Sequence, residues 1–321
     1  MNPTKKIGLI GNGSWATAIL KLLSSKDNEI YWYLKKTDDI EYFQKNKRNP
    51  RYLRQVEFDI SKIKISNDIN EVTEKSEILY FIIPSAFLDS YLSTITTDLS
   101  NKIIVSGIKG IVPSTNLLFA EHFAKEFNVQ IEDIATIAGP SHAEEVAMCR
   151  LTYLTIASKN LYNAEIIANQ LENQNLRTYI NDDIYGIEYT AVLKNIYALA
   201  VGICNGLGFG DNFTAVLVSN AILEAERFIN TVNPRERNIS NTAYLGDLLG
   251  TAYSKFSRNR TFGIMIGKGY SVSATKLEMN MIAEGYYAVE SFHKINAQYN
   301  IYMPILEAVY NILYDNKPAG F

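Results

Sequence analysis

Ten residues near the start of the chain restrict its fold more than any other stretch. Ile7-Gly8-Leu9-Ile10 reads as a short buried strand, and Gly11-Asn12-Gly13-Ser14-Trp15-Ala16 follows at once, with Gly11, Gly13 and Ala16 at the spacing G-x-G-x-x-[GA]. An apolar helix then runs through Leu23. Gly11 permits a tight strand-to-helix turn, Gly13 lets the backbone approach a pyrophosphate, and Ala16 lets helix and strand lie close. The helix N-terminus adds N–H groups and a partial positive charge. The position of the turn between strand and helix favours a dinucleotide site over a glycine-rich turn with no ligand.

The strands that follow suit an open α/β sheet. Glu29 to Leu34 reads as the second strand, and a site specific for NAD places an acid at its end to bind the ribose 2′-hydroxyl. Here Lys35 and Lys36 stand there instead. Either the two lysines take a 2′-phosphate, or they are solvated and Asp38 or Asp39 meets the ribose. Ile63 to Ser66 is a short strand. Ile78 to Ile83 is a continuous apolar run stopped by Pro84, the mark of a parallel strand covered on both faces, and Pro84 is expected to open the next helix. Lys102 to Ser106 runs into Gly107-Ile108-Lys109-Gly110, which puts a lysine at the sheet edge where ligands of such sheets collect. Ile134 to Ala138 leads into Gly139-Pro140-Ser141-His142-Ala143, a turn that either presents N–H groups and a hydroxyl to an anion or is simply capped by Ser141. Leu151 to Ser158 is a further strand and Ala164 to Gln174 a helix.

From about Ile184 the strand pattern gives way to helices, so the division is expected at 1–182 and 183–321. Gly186 to Leu207 is apolar on most faces yet contains Lys194 and Asn195. Burying a lysine is costly, and desolvation lowers its pKa towards neutrality, which suits a proton donor; the alternative is a lysine that snorkels or pairs structurally. Gly206 to Asn212 reads as a glycine-rich break. Asp247 is placed to cap a helix and to pair with Lys194, and Ser257-Arg258-Asn259-Arg260 either holds a phosphate monoester, for which it has the chemistry, or is simply a polar loop. Ala274 to Tyr299 reads as one long helix carrying Glu284, and Met303-Pro304-Ile305 opens the last.

Composition narrows the function. With 321 residues, 47% apolar and 20% charged, the chain has room for two domains and a sizeable core. A net charge of −3 with no basic stripe argues against nucleic acid and anionic membranes as partners. Cys149 and Cys204 form no C-x-x-C motif and read as buried free thiols in a reducing compartment. His122, His142 and His293 are too scattered to suggest a metal site. Met1 to Thr4 lead straight into the first strand, so no signal peptide is expected. The most apolar stretch, Ile196 to Cys204, is bracketed by Asn195 and Asn205 and falls short of a membrane span. A cytoplasmic protein is expected.

Taken together, seven motifs resemble the NAD(P)-dependent glycerol-3-phosphate dehydrogenases, the bacterial branch most closely. They are Gly11 to Ala18, Ser106 to Gly110, Gly139 to Val146, Leu193 to Ile196, Gly246-Asp247-Leu248, Ser257 to Arg260 and Ala283-Glu284-Gly285. The resemblance implies an N-terminal Rossmann-like doubly wound α/β domain, then an all-helical domain. It implies NAD or NADP as cofactor, and dihydroxyacetone phosphate and glycerol 3-phosphate as substrates in glycerophospholipid metabolism. By likeness, Lys194 matches the proton-transferring lysine, with Lys109 and Asp247 beside it in catalysis. Lys109, Gly139, Ser141, Lys194, Asp247, Ser257, Arg258 and Asn259 match substrate positions. Gly11, Gly13, Ser14, Trp15, Lys35, Lys36, Lys109, Ala143, Arg258, Ile282 and Glu284 match cofactor positions. A homodimer is a further family expectation. There are departures: arginine is commoner where Lys35 stands, and Ala243-Tyr244 replaces a small pair ahead of Gly246. The rivals are a related two-domain hydroxy-acid dehydrogenase and a cofactor-sensing protein without catalysis. The presence of both Lys109 and Lys194 weighs against the second, and Ser257 to Arg260 against the first.

Overall fold

The computed structural model describes residues 5–279 and 283–320. Their contacts divide into two compact units. The first holds the chain up to Ile83 with Phe87–Ile108 and Phe119–Ile184, and the second holds Pro84–Ala86, Lys109–Leu118 and the chain from Tyr185. Two short segments of the N-terminal half thus belong to the helical unit, and one of them begins at Lys109.

The first unit is built on eight strands: β1 (Lys6–Ile10), β2 (Glu29–Tyr33), β3 (Ile63–Ser66), β4 (Ile78–Phe81), β5 (Ile103–Ser106), β6 (Ile134–Ala138), β7 (Thr152–Ala157) and β8 (Leu176–Asn181). They lie in the order β3-β2-β1-β4-β5-β6-β7-β8. The first six are parallel neighbours; β7 runs antiparallel to β6, and β8 parallel to β7. The order of the first six is that of the Rossmann fold, with its winding reversed between β1 and β4. The α/β, doubly wound reading is therefore correct. Ile7, Leu9 and the whole of β4 are enclosed, as strands covered on both faces must be.

β8 was not expected from the sequence. It is an edge strand whose side chains are mostly open to solvent, so it carries no apolar run to betray it. Pro84 also differs from expectation: a 3-10 turn at Ser85–Phe87 comes first, and the helix Leu88–Leu92 follows.

In the second unit the helix Ile184–Gly206 forms the axis. It is 23 residues long and apolar enough to cross a membrane, which corrects the shorter span expected; 94% of its most apolar window is buried, as in a core helix. Glycine lets its neighbours reach its backbone. A Cβ on Gly202 would strike the Arg260 carbonyl, one on Gly263 the Leu199 carbonyl, one on Gly206 the Ile264 carbonyl, and one on Gly267 the Ile203 carbonyl. These four glycines, paired at i and i+4 on each of two helices, bring the helix Arg258–Gly267 into backbone contact with the axis. Gly285 does the same for the helix Glu284–Tyr299, since a Cβ there would lie 2.6 Å from the Asn195 carbonyl oxygen.

Two further expectations are corrected. The span Ala274 to Tyr299 is divided: one helix, Val272–Glu278, ends in extended backbone at Met279, and the next starts after extended Ala283. The cysteines are free but neither is buried: Cys149 is exposed and Cys204 half-buried. Cys149 sits in a left-handed turn, φ 55°, just past the helix Ala143–Ala147, which turns it outwards.

Candidate active site

The glycine-rich turn is held from below. Trp32 Nε1 donates to the Gly11 carbonyl at 2.7 Å, Asn49 Nδ2 to the Asn12 carbonyl at 3.1 Å, and Thr17 Oγ1 to the Gly13 carbonyl at 2.8 Å. In a trans peptide the N–H points opposite to the carbonyl. With three successive carbonyls drawn into the fold, the amides of Asn12, Gly13 and Ser14 are directed the other way. Gly11 has φ +132°, and a Cβ there would strike the Ile82 carbonyl on the neighbouring strand segment. Gly13 is extended, and a Cβ there would meet nothing within 4 Å. That is an open cradle at the first turn of the helix Ser14–Ser24. The Trp15 indole N–H next to it is buried with no hydrogen-bond partner. An anion-receiving backbone, an orphaned donor and a helix N-terminus together fit a dinucleotide.

Lys35 and Lys36, after β2, are both exposed. Asp39 does not stand open to a ribose: it is 4% exposed and accepts a hydrogen bond from Arg51 Nη2 at 2.9 Å. Asp38 is exposed. In the turn after β6, Gly139 has φ +109°, which disfavours any side chain. Ser141 Oγ donates to the Gly139 carbonyl at 3.0 Å, and the helix Ala143–Ala147 is entered from His142, not capped by Ser141 as the bland alternative required. Ala143 is buried.

The chemistry of the second unit gathers on its axis. Lys194 is 5% exposed and Asp247 1% exposed, and Lys194 Nζ donates to Asp247 Oδ1. Burial pushes the Lys194 amine down to about 7; Asp247 pulls it up, and the charge of Lys109 pushes it further down. Asp247 is the first residue of the helix Asp247–Tyr253, entered through a π-helical turn, Thr242–Gly246, with Tyr244 and Ala243 buried. It does not cap that helix, since Gly246 occupies the N-cap. Thr251 Oγ1 donates back to the Asp247 carbonyl at 2.7 Å. Lys109 is half-buried, and its carbonyl accepts from Asn195 Nδ2 at 3.2 Å.

Ser257 is the N-cap of the helix Arg258–Gly267 and accepts from the Arg260 N–H at 3.3 Å. Asn259 is buried, and its Oδ1 accepts from the Gly285 N–H at 2.9 Å, which leaves the amide NH2 as its outward donor. Arg260 is structural: Nε and Nη2 both donate to Asn205 Oδ1, at 3.2 and 2.9 Å. Glu284, half-buried as a residue, has a carboxyl that burial pushes up to about 7 against the pull of Arg258, Lys109, Lys194 and the Ser85 N–H. Ile282 lies outside the described residues. Sequence reasoning did not assign roles to Asn195, Ser85, Thr251 or Arg51. For Asn195 the signal was present, an amide inside an apolar helix; the others contribute through backbone groups or across loops. Among the described residues no cluster of three or more His, Cys, Asp or Glu is placed to hold a metal ion.

A turn shaped to take an anion and a buried amine poised to titrate near neutrality would answer the two needs of a nicotinamide-linked dehydrogenase, a place for the hydride donor and a source for the proton. Fold and site define that class. Comparison with known proteins narrows it. Residues 6–164 match the family profile described as NAD-dependent glycerol-3-phosphate dehydrogenase N-terminus, and residues 183–320 match its C-terminus. The chain belongs to that family. It is 33% identical over 313 residues to a protein of Clostridium botulinum named NAD(P)+ glycerol-3-phosphate dehydrogenase, covering 97% of this chain and 94% of the relative. It is also 33% identical to the protein of the same name from Bacillus subtilis, with 98% and 91% covered. The crystal structure of glycerol-3-phosphate dehydrogenase from Coxiella burnetii superposes with a TM-score of 0.89 at 28% identity, over 98% of this chain and 96% of that one.

Proposed function

We propose that this chain catalyses the reversible reduction of dihydroxyacetone phosphate to sn-glycerol 3-phosphate with NADH or NADPH, and that Lys194 moves the proton. The observation that carries this reading is the Lys194–Asp247 pair, buried on the axis of the helical unit with its amine lowered to about 7. A nicotinamide bound at the Gly11–Ala16 turn supplies the hydride that C2 of the ketone receives. Lys194, as ammonium, gives a proton to the carbonyl oxygen as that oxygen gains charge. Lys109 places a second positive charge beside the same oxygen and polarises it. Asp247 orients the Lys194 amine and keeps it protonated near neutral pH. Arg258, the amide NH2 of Asn259 and the Ser257 hydroxyl take up the phosphate at a helix N-terminus, where backbone N–H groups add to them. Gly139 and Ser141 belong to the same substrate set. Ser14, Trp15, Lys35, Lys36, Ala143, Ile282 and Glu284, with Lys109 and Arg258, belong to the cofactor set.

In this reading residues 1–182 form the cofactor domain and 183–321 the substrate domain. The chain works in the cytoplasm, where its product feeds phospholipid synthesis. It acts as a homodimer through the helix Asp211–Val232, whose Phe213, Val216 and Leu223 are exposed apolar side chains on the helical unit. The direct test is oxidation of NADH and NADPH by the purified chain with dihydroxyacetone phosphate, and with dihydroxyacetone as the control lacking the phosphate. Turnover is expected with the first and little with the second. No turnover with either, or equal turnover with both, overturns the reading.

A further inference from the structure

We infer that the chain selects NADP(H) over NAD(H), and that Arg51, anchored by Asp39, is the side chain that reads the 2′ position of the adenosine ribose. The inference rests on the dinucleotide reading of the Gly11–Ala16 turn, and all its residues lie in the first unit.

In a fold of this strand order the ribose meets the C-terminal end of β2. An acid standing open there accepts a hydrogen bond from a 2′-hydroxyl, and a cation there accepts a 2′-phosphate. Asp39, in the first turn of the helix Thr37–Asn46 that follows β2, has been taken out of the first role. Its Oδ1 is engaged by Arg51 Nη2 at 2.9 Å, and its Oδ2 is buried with no hydrogen-bond partner. A hydroxyl on a ribose cannot reach an oxygen that water cannot reach. The carboxylate serves the guanidinium instead.

Arg51 is fixed from its other side to the pyrophosphate turn itself. Asn49, 2% exposed, donates through Nδ2 to the Asn12 carbonyl at 3.1 Å and to Thr17 Oγ1 at 2.9 Å. Its Oδ1 accepts the N–H groups of Arg51 at 2.9 Å and of Tyr52 at 3.0 Å. One buried amide therefore ties the loop that carries Arg51 to the glycine-rich turn, and Asp39 ties its guanidinium to the first turn of the helix that follows β2. The Arg51 side chain is still 45% exposed, and the bond to Asp39 uses one of its five N–H donors, so Nε and Nη1 are available to a dianion. Lys35 and Lys36 stand exposed between β2 and that helix, where an NAD-specific site has an acid. The exposed acid that remains, Asp38, is the rival reader of the ribose.

The test is calorimetric titration of the full chain with adenosine 2′,5′-bisphosphate and with adenosine 5′-monophosphate, which differ only in the 2′-phosphate. The wild type is expected to bind the bisphosphate at least about tenfold more tightly, the yield of one charge-assisted bond at a part-exposed site. Arg51→Ala is expected to lose about that factor for the bisphosphate and to leave the monophosphate unchanged. Asp39→Asn, which keeps the shape and frees the guanidinium, is expected to lose a smaller part of the same preference, with a thermal melt to show that the unit still folds. Equal binding of the two ligands by the wild type overturns the inference, as does an Arg51→Ala variant that keeps the preference. So does an Asp38→Ala variant that weakens only the monophosphate. Binding of neither ligand removes the dinucleotide reading of the turn, and the inference with it.

Discussion

Replacing Asp247 by Asn should shift the pH dependence of ketone reduction rather than merely slow the enzyme. The Lys194 amine stands at about 7 because burial and the charge of Lys109 push it down while Asp247 pulls it up. Asn keeps the shape and removes the only pull named among the causes. An opposite charge in contact is worth about 1–3 pKa units, or about 1.4–4 kcal/mol. The amine of the variant should therefore titrate between about 4 and 6. At pH 7 the fraction carrying the donated proton falls from about a half to between about a tenth and a thousandth. The acid form is the proton donor in reduction, so kcat/KM at pH 7 should fall about 5- to 500-fold. The sign is fixed: activity is full below the pKa and is lost as pH rises through it. Profiles of kcat/KM for dihydroxyacetone phosphate should show the wild type declining above about pH 7 and the variant declining from a lower pH, with part of its activity recovered in acid. A variant whose profile keeps the wild-type inflection at a reduced height would refute the electrostatic role of Asp247 and leave it a structural one.

Other perturbations separate binding, packing and linkage. Arg258→Ala should raise KM for dihydroxyacetone phosphate about 10- to 50-fold with a smaller change in kcat, because a charge-assisted bond to the phosphate is lost in ground and transition state alike; steady-state kinetics with unchanged KM would place the phosphate elsewhere. Gly263→Ala should destabilise the helical unit by about 1–3 kcal/mol, since the new methyl would strike the Leu199 carbonyl and lie 2.8 Å from the Ile203 nitrogen; urea denaturation with an unaltered midpoint would deny the close helix contact. Lys194→Met should change how stability depends on pH. The folded amine titrates near 7 and the unfolded one near 10.4, so between those values the unfolded chain binds the extra proton and the wild type gains stability as pH rises. Relative to the variant that gain should reach up to about 4 kcal/mol. Parallel stability curves from pH 6 to 10 would contradict it.

The parts of the molecule that depend on local pattern were readable in the sequence. Seven strands announce themselves because burial on one or both faces demands apolar side chains there, and the Gly11–Ala16 turn announces itself because backbone proximity demands small residues. Lys194 was conspicuous for the opposite reason, a charge inside an apolar helix. What could not be read depends on pairing between distant segments. β8 is exposed and needs no apolar code. Gly202, Gly206, Gly263 and Gly267 look like helix breakers in a single strand of text, and only their opposition across two helices reveals a contact surface. Asp39 looked like a candidate for the ribose until Arg51, twelve positions on, was seen to hold it. Cys149 read as buried because cysteine usually is, whereas a left-handed turn lifts it out.

The most direct measurement is a pair of numbers on one variant, Lys194→Met: kcat for reduction of dihydroxyacetone phosphate, and the Kd for the reduced cofactor from its fluorescence. Loss of a positioned general acid should lower kcat by about 100- to 10,000-fold while Kd stays at its wild-type value. A variant that turns over as fast as the wild type with the same Kd would show that the proton comes from another group.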